Sequence, residues 1–288
     1  MSTHGSADFR MLFSQVVQKP QEDIQLDRAA LYLAGEEYPE IDVPSHLAEL
    51  DAFAAQVSLR MGRAGRVGHE ATPAELARAI SGYLFDEVGF HGNASGYYSP
   101  DNSFLNRVLE TRTGIPITLS LLFLEVGRRL GLNCSGVGLP GHFIVGLDDS
   151  EEYLDPFHAG AILSAVDCRT LVQKMSGGRL EWTDAFLAPY SKHDILFRIL
   201  NNLKSVYMQS KEYTKAVGVI QRMAIINPSL PSLYQEQAWC HAQQHEYRLA
   251  IETLESYLER AQDSAGPEEA KRVKDQIIGL WSSLSRLN

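Results

Sequence analysis

The sequence predicts an α+β protein: a helical N-terminal part, then a core with a small antiparallel sheet, then an all-α repeat region. Apolar residues recur at helical spacing through residues 24–88. Short runs of strand-forming residues, separated by turn residues, occupy residues 134–154. From Asp194 onward the pattern is helical and repeats itself. We therefore predict two domains, residues 1–190 and residues 191–288.

The composition excludes several classes of function. The chain has 288 residues with 44% hydrophobic and 22% charged residues, and its formal net charge is −10. No nucleic-acid partner is predicted, because nucleic-acid binding needs a basic patch. The longest apolar stretch, Ile115–Val126, is shorter than the roughly 20 residues that span a bilayer, so no membrane partner is predicted either. The first residues lack the apolar run of a secretory signal.

The sequence lacks both a CxxC motif and a nucleotide-binding motif, and each absence bears on the predicted chemistry or location. The three cysteines, Cys134, Cys168 and Cys240, have no CxxC spacing. They predict no disulfide framework and favour a reducing, cytoplasmic location. The sequence contains no glycine-rich nucleotide motif, so no cofactor is predicted.

Three helices are predicted before residue 90, after a start of loop or short helix in residues 1–20. Asp23–Glu37 ends at Tyr38-Pro39, because the residue before proline disfavours the helical region. Ser45–Met61 follows a proline-serine start signal. After a glycine- and arginine-rich loop at Gly62–His69, Thr72 and the glutamate three residues later form a capping box that opens a helix to about Val88.

The segment from Asn102 to Leu130 is predicted to contain a short helix followed by a buried one. Asn102–Glu110 is helical, and a Thr-Gly-Ile-Pro sequence breaks it. The next helix, Pro116–Leu130, begins with proline, which suits the first helical position, and Gly131 suits its C-terminal cap. Because apolar residues surround this helix on nearly all sides, we expect it to be central and buried.

Three strands are predicted next: Cys134–Leu139, His142–Leu147 and Glu152–Leu154. If Asp148-Asp149 is a two-residue turn, His142 pairs with Asp155 across the hairpin. Directly opposed residues have Cβ atoms about 4.5–5.5 Å apart. A longer turn would shift the pairing by a residue or two and leave them diagonal.

The C-terminal region carries an internal repeat. Glu212-Tyr213 and Ala216 recur 34 positions later as Glu246-Tyr247 and Ala250. This period and the small packing residues are typical of tetratricopeptide repeats. We predict about two repeat units and a last capping helix, Glu268–Leu287, which together offer a docking surface for a protein partner.

Several sequence motifs together resemble those of a known family. They are Tyr97-Tyr98, Asn102–Asn106, Val108–Ser120, Pro140–Phe143 and Asp155–Phe157. With the C-terminal repeats, the chain resembles the SirB1-type, transglutaminase-like family of bacterial proteins. In the wider superfamily a cysteine begins a buried helix, and a histidine and an aspartate follow on strands. The resemblance implies that His142 and Asp155 match the last two, whereas the cysteine position falls on Pro116, which has no nucleophile.

We therefore expect a non-catalytic binding or regulatory protein with a vestigial His142–Asp155 dyad. A groove beside the dyad would bind a peptide or another protein, as would the repeats. The expected groove residues are Tyr97, Tyr98, Asn102, Asn106, Glu110, Arg112, Pro116 and Thr118. Glu110 and Arg112 are expected to form an ion pair, and Asn102 and Asn106 either to connect the tyrosine loop to the site or to cap turns.

Two alternatives remain open. The chain could be an acyl-transfer or amide-hydrolysing enzyme whose nucleophile is Cys134, Thr118 or a water activated by His142, although Thr118 lies about 200° around the helix from Pro116. It could also be a scaffold whose groove has no function. No metal site is predicted, because His241 and His245 have the spacing of a ligand pair but lack a third ligand. The oligomeric state is not predicted.

Overall fold

The computed structural model describes residues 6–63, 71–148, 150–261 and 266–286. The chain divides into two compact units, Met1–Ile199 and Leu200–Asn288. The predicted α+β architecture, with a small antiparallel sheet and a helical C-terminal region, is confirmed. Across the described residues, every helix is too short or too polar to cross a membrane.

The N-terminal helices of the first unit follow the predicted order. They are α1 (Ser6–Val17), α2 (Leu26–Gly35), α3 (Val43–Arg63) and α4 (Pro73–Ser81). The capping box between Thr72 and Glu75 is present. The third predicted helix does not continue in α form to Val88, because Gly82–Glu87 is π-helical. Most of the predicted loop at Gly62–His69 lies outside the described residues.

Two very short strands, β1 (His91–Gly92) and β2 (Thr113–Gly114), flank α5 (Leu105–Thr111) and pair in parallel. The buried helix α6 (Pro116–Arg129) follows as predicted, and its residues from Pro116 to Gly127 are all buried. The pair β1–β2 therefore lies at the N-terminal end of α6.

The main sheet has the order β3-β4-β5-β6, and all its pairings are antiparallel. Its strands are β3 (Cys134–Val137), β4 (Ile144–Leu147), β5 (Tyr153–Asp155) and β6 (Ala161–Leu163). Helix α7 (Ala165–Ser176) contributes Cys168 and Val172 to a buried apolar cluster with Val137 and Ile144.

The turn between β4 and β5 is the longer of the two that the sequence allowed. Val145 pairs with Leu154, and the amide of Leu147 donates to the carbonyl oxygen of Glu152, so the turn is two residues longer. The amide of Ser150 donates to the carbonyl of Leu147 over 3.1 Å, and Ser150 Oγ accepts the amide of Glu152. These local bonds favour the longer turn over a tight one. Asp149, the second residue of the predicted turn, lies outside the described residues.

The second unit consists of helices, of which the last four pack in sequence order. Helix α8 (Lys192–Gln209) begins in the first unit and is followed by α9 (Tyr213–Ile226), α10 (Ser232–Gln243), α11 (Tyr247–Arg260) and α12 (Pro267–Ser285). Ala216 and Ala250, the repeated small residues, are fully buried in α9 and α11. The predicted repeat architecture is confirmed. His245 lies after the end of α10 with φ 61°, so it does not share a helix face with His241.

Candidate functional site

His142 and Asp155 form a buried hydrogen-bonded pair. The Nε2 of His142 lies 2.8 Å from Oδ2 of Asp155, and the two residues are 4% and 2% exposed. His142 precedes β4 and lies in a turn in which its amide donates to the carbonyl of Leu139. Gly141 in this turn has φ +78°, which suits glycine. The pair therefore forms although the two residues are not directly opposed in the sheet.

A second imidazole binds the same carboxylate oxygen. The Nδ1 of His158 lies 2.7 Å from Oδ2 of Asp155, while Oδ1 accepts the amides of Phe157 and His158. Burial alone would raise the pKa of Asp155, but the hydrogen bonds from His142 and His158 outweigh it and hold the pKa below its ordinary value. Asp155 is therefore an ionised carboxylate held at both oxygens. His158 was not among the predicted site residues, although it follows Asp155 by one helical turn.

An aromatic cluster connects the pair to the predicted tyrosine loop. The ring of Phe157 meets His142 edge-on at 6.0 Å between centroids and Tyr97 at 6.3 Å. Tyr97 in turn meets Tyr98, a residue that is 68% exposed. A Cβ on Gly92 would lie 2.6 Å from the Phe157 ring, so the strand β1 approaches this ring closely only because residue 92 is glycine.

Asn102 holds the tyrosine loop in place. Its Nδ2 donates to the carbonyl oxygens of Gly96 at 2.7 Å and Tyr97 at 3.1 Å, and its Oδ1 accepts from Asn93. These bonds hold the loop against the buried Asn102, and they do not separate the two hypotheses for this residue. Asn106 is buried in α5, and its Oδ1 has no hydrogen-bond partner among the described residues.

Near its N-terminus, α6 contacts the segment that carries His142. Pro116 is the first residue of the helix and is buried. Ser120 lies one turn later on the same face, and its hydroxyl donates to the carbonyl of Phe143 at 3.4 Å. Helix α6 also packs against the turn Pro156–His158. The start of a buried helix, a histidine and an aspartate thus converge.

Comparisons with known proteins show the family to which the chain belongs. A profile of the transglutaminase-like superfamily matches residues 44–201, more than half of the chain. The chain belongs to the transglutaminase-like superfamily. A tetratricopeptide-repeat profile matches residues 203–277.

The transglutaminase-like chain also has bacterial relatives that match it over most of their length. It is 33% identical over 260 residues to a UPF0162 protein of Xylella fastidiosa, covering 86% of this chain and 88% of the relative. It is 29% identical over 268 residues to a UPF0162 protein of Pseudomonas aeruginosa, covering 92% and 94%. A more distant similarity, 28% over 194 residues, joins 63% of this chain to 29% of F-box only protein 21 of Mus musculus.

The two side chains predicted as alternative nucleophiles of this transglutaminase-like core, Thr118 and Cys134, both have other contacts. Thr118 is fully buried, and its hydroxyl donates to the carbonyl of Asn102 at 2.7 Å and accepts the amide of Ile115. Its hydroxyl is therefore committed to the backbone at the helix start.

Cys134 lies far from His142, at the other end of the paired strands β3 and β4. It pairs with Leu147, five residues beyond His142, which corresponds to about 16 Å along a strand. Its Sγ packs beside Gly127, near the C-terminal end of α6. Burial, and secondarily the charges of Asp148 and Glu125, raises the pKa of Cys134 to about 12. The thiol is therefore protonated at neutral pH and remote from the imidazole.

Glu110 and Arg112 each form an ion pair with a different residue. Arg112 pairs with Glu49 at 2.8 Å, and its guanidinium lies over the Phe90 ring. Glu110 pairs with Arg107 and lies 3.9 Å from His46. The predicted ion pair between them is therefore wrong, because both side chains bind residues of or near α3 and α5.

Arg198 is a positively charged group of the site that the sequence did not reveal. Its Nη2 donates to the carbonyls of Leu139 at 3.1 Å and His142 at 3.0 Å, so it fixes the turn that carries the imidazole. Burial raises the pKa of Tyr97, and the charge of Arg198 opposes this effect. Arg198 comes from α8, 56 residues after His142, and no local pattern marks it.

Proposed function

We propose that this transglutaminase-like protein is a non-catalytic binding or regulatory module that docks a protein or peptide partner. One observation carries the proposal: Pro116 occupies the first position of α6, where the superfamily's nucleophilic cysteine is expected, while His142 and Asp155 remain paired. A pyrrolidine ring has neither a proton to give to an imidazole nor a lone pair with which to attack a carbonyl.

The remaining groups of the site support the same proposal. In thiol enzymes a helix N-terminus and an imidazole together lower the thiol pKa, and a carboxylate orients the imidazole. The helix, the imidazole and the carboxylate are all present here, but Thr118 and Cys134 are held in other contacts. The carboxylate of Asp155 is also shared with His158, which gives the pair a structural use that needs no nucleophile.

The binding surfaces proposed are the tyrosine loop and the repeat helices, each within its own unit. Tyr98 projects from the loop that Asn102 holds, and an ordered, exposed aromatic side chain is a common binding determinant. Tetratricopeptide repeats bind proteins as a class, and Trp239 and Trp281 of the repeat unit are both more than 40% exposed. We propose a cytoplasmic location on the three free cysteines.

Whether Pro116 occupies the nucleophile position can be tested by introducing a thiol at this residue. In the variant Pro116→Cys, the introduced thiol would stand at a helix N-terminus beside His142, and both features lower a thiol pKa. We expect iodoacetamide at pH 7 to label the introduced thiol at least about 10-fold faster than Cys134, as measured by peptide mass spectrometry. The double variant Pro116→Cys with His142→Gln should lose most of this advantage. Equal labelling of the two thiols in Pro116→Cys would show that residue 116 does not face the imidazole.

The alternative function is amide or ester hydrolysis by a water that His142 activates. The intact and buried His142–Asp155 pair favours it, because an imidazole oriented by a carboxylate can act as a general base. The test is turnover of peptide amides, activated esters and an amine donor by the wild-type protein. Turnover above the buffer rate that disappears in folded His142→Gln would overturn the non-catalytic proposal.

The scaffold hypothesis is tested by partner capture. Proteins retained from a cell extract by the full chain are compared with those retained by Tyr97→Ser/Tyr98→Ser and by Tyr32→Ser as a matched control. A partner lost only in the double tyrosine variant supports the groove. A partner retained by that variant but lost in Trp239→Ala/Trp281→Ala supports a scaffold whose repeats alone bind.

A further inference from the structure

We propose that His142, Asp155 and His158 form a binding site for a divalent transition-metal ion of the Zn²⁺ class. One nitrogen of each imidazole and one oxygen of the carboxylate all lie within 4.8 Å of one another. Two histidines and a carboxylate are a common ligand set for such ions. The proposal is independent of the proposed function, because it concerns what the three side chains hold and not what the protein docks.

The distances allow an ion to replace the hydrogen bonds. The two imidazole nitrogens lie 2.8 Å and 2.7 Å from Oδ2 of Asp155. Ligands about 2.1 Å from a common ion are about 3.0–3.4 Å apart in octahedral or tetrahedral geometry. Each contact therefore needs to widen by only about 0.5 Å. A neutral imidazole can bind an ion through the nitrogen now facing Asp155 once its proton occupies the other ring nitrogen.

Hydrogen bonds to the backbone orient the carboxylate of Asp155, as they do for carboxylate ligands in known metal sites. Oδ1 of Asp155 accepts the amides of Phe157 at 3.1 Å and His158 at 3.3 Å, which leaves Oδ2 directed at both imidazoles. Such outer-shell hydrogen bonds fix a ligand's direction and are a regular part of metal sites. The guanidinium of Arg198 donates to the carbonyl of His142 and so fixes the turn that carries this ligand.

Burial and charge also suit a cation. Asp155 and His142 are buried, whereas the side chain of His158 is 59% exposed, so an ion can enter and keep water ligands on the His158 side. With neutral imidazoles the three groups carry one negative charge, which a divalent cation offsets. From the sequence alone, only His241 and His245 were considered as metal ligands, and the convergence of Asp155 and His158 with His142 is visible only in the tertiary structure.

The test is direct binding of the metal ion to the full-length chain after treatment with a chelator. We expect calorimetric titration with ZnCl₂ to give one ion per chain, and CoCl₂ to give visible absorption bands with the same stoichiometry. Loss of an outer-shell partner costs metal sites about 10–100-fold in affinity. His158→Gln, which removes a ligand, should therefore weaken Zn²⁺ binding by at least about 100-fold.

The matched control is His245→Gln, which changes an exposed histidine of the second unit whose Nδ1 contacts the hydroxyl of Tyr247. It should leave the affinity unchanged. His158 is exposed, so its variant is expected to fold, and far-ultraviolet circular dichroism checks this. Absence of a bound ion at one per chain, or equal affinity in wild type and His158→Gln, would mean that the three residues form only a hydrogen-bonded cluster.

Discussion

Replacing Asp155 by alanine should destabilise the first unit strongly. The carboxylate accepts two backbone amides at the start of the turn Pro156–His158 and binds two imidazoles through its other oxygen. Loss of such a cap costs about 1 kcal/mol. Loss of the buried hydrogen bond to His142 costs about 1.5–3 kcal/mol, because one partner is charged. The exposed His158 adds about 0–1 kcal/mol, so we expect Asp155→Ala to lower the free energy of unfolding by about 2.5–5 kcal/mol.

Asp155→Asn separates the two contributions. Asparagine caps about as well as aspartate, so the amide contacts survive while the negative charge is lost. This variant should therefore lose only about 1–2 kcal/mol.

The pH dependence supplies a second check on the same residue. Because the folded-state pKa of Asp155 is lowered, its ionised form stabilises the folded protein above the unfolded pKa of about 3.9. This contribution is lost as the pH falls through the lower folded-state value. The stability gap between wild type and Asp155→Ala should therefore be constant near neutral pH and should shrink in acid below about pH 4.

The assay is urea unfolding followed by the fluorescence of Trp182, which packs partly buried against the sheet of the first unit. Trp239→Phe and Trp281→Phe in the background remove the signal of the second unit. Asp148→Ala, which changes an exposed aspartate at the end of β4, is the matched control and should cost less than about 0.5 kcal/mol. An Asp155→Ala effect no larger than that of the control would refute the argument that the carboxylate organises the site.

Three further predictions concern the surroundings of the pair. Iodoacetamide at pH 8 should label Cys134 at least about 100-fold more slowly in the native protein than in urea, because burial raises its pKa to about 12; comparable rates by peptide mass spectrometry would contradict this. Gly92→Ala should cost about 1–3 kcal/mol, because the added methyl group meets the Phe157 ring, whereas Gly82→Ala, whose nearest new contact is at 3.8 Å, should cost little; equal urea midpoints would disprove the contact. Thr118→Val should cost about 2 kcal/mol in the same assay, because it leaves the amide of Ile115 without the hydroxyl, whereas Thr118→Ser should retain most of the stability.

Most of the fold could be predicted from local signals. Proline at position 116 and an apolar surface on all sides marked α6 as a buried helix, and both features are visible in the linear sequence. The repeated Glu-Tyr pairs before Ala216 and Ala250 similarly marked the start of α9 and α11. The sequence left the length of the turn between β4 and β5 open, because Ser150 and Glu152 can bond either as strand or as turn residues, and only the paired strands decide.

The sequence by itself determined the kinds of group at the site: a helix that begins with proline instead of a nucleophile, followed by a histidine and an aspartate. Periodicity and turn residues act over a few positions, so they fix elements and their order. Only the tertiary structure decided which groups meet. It brought His158 onto the same carboxylate oxygen as His142, placed Arg198 on the turn from a distant helix, and carried Cys134 to the opposite end of α6. These contacts depend on strand register and helix packing. Both follow from the burial of the whole apolar surface at once, so they cannot be predicted from the residues next to each site residue in the sequence.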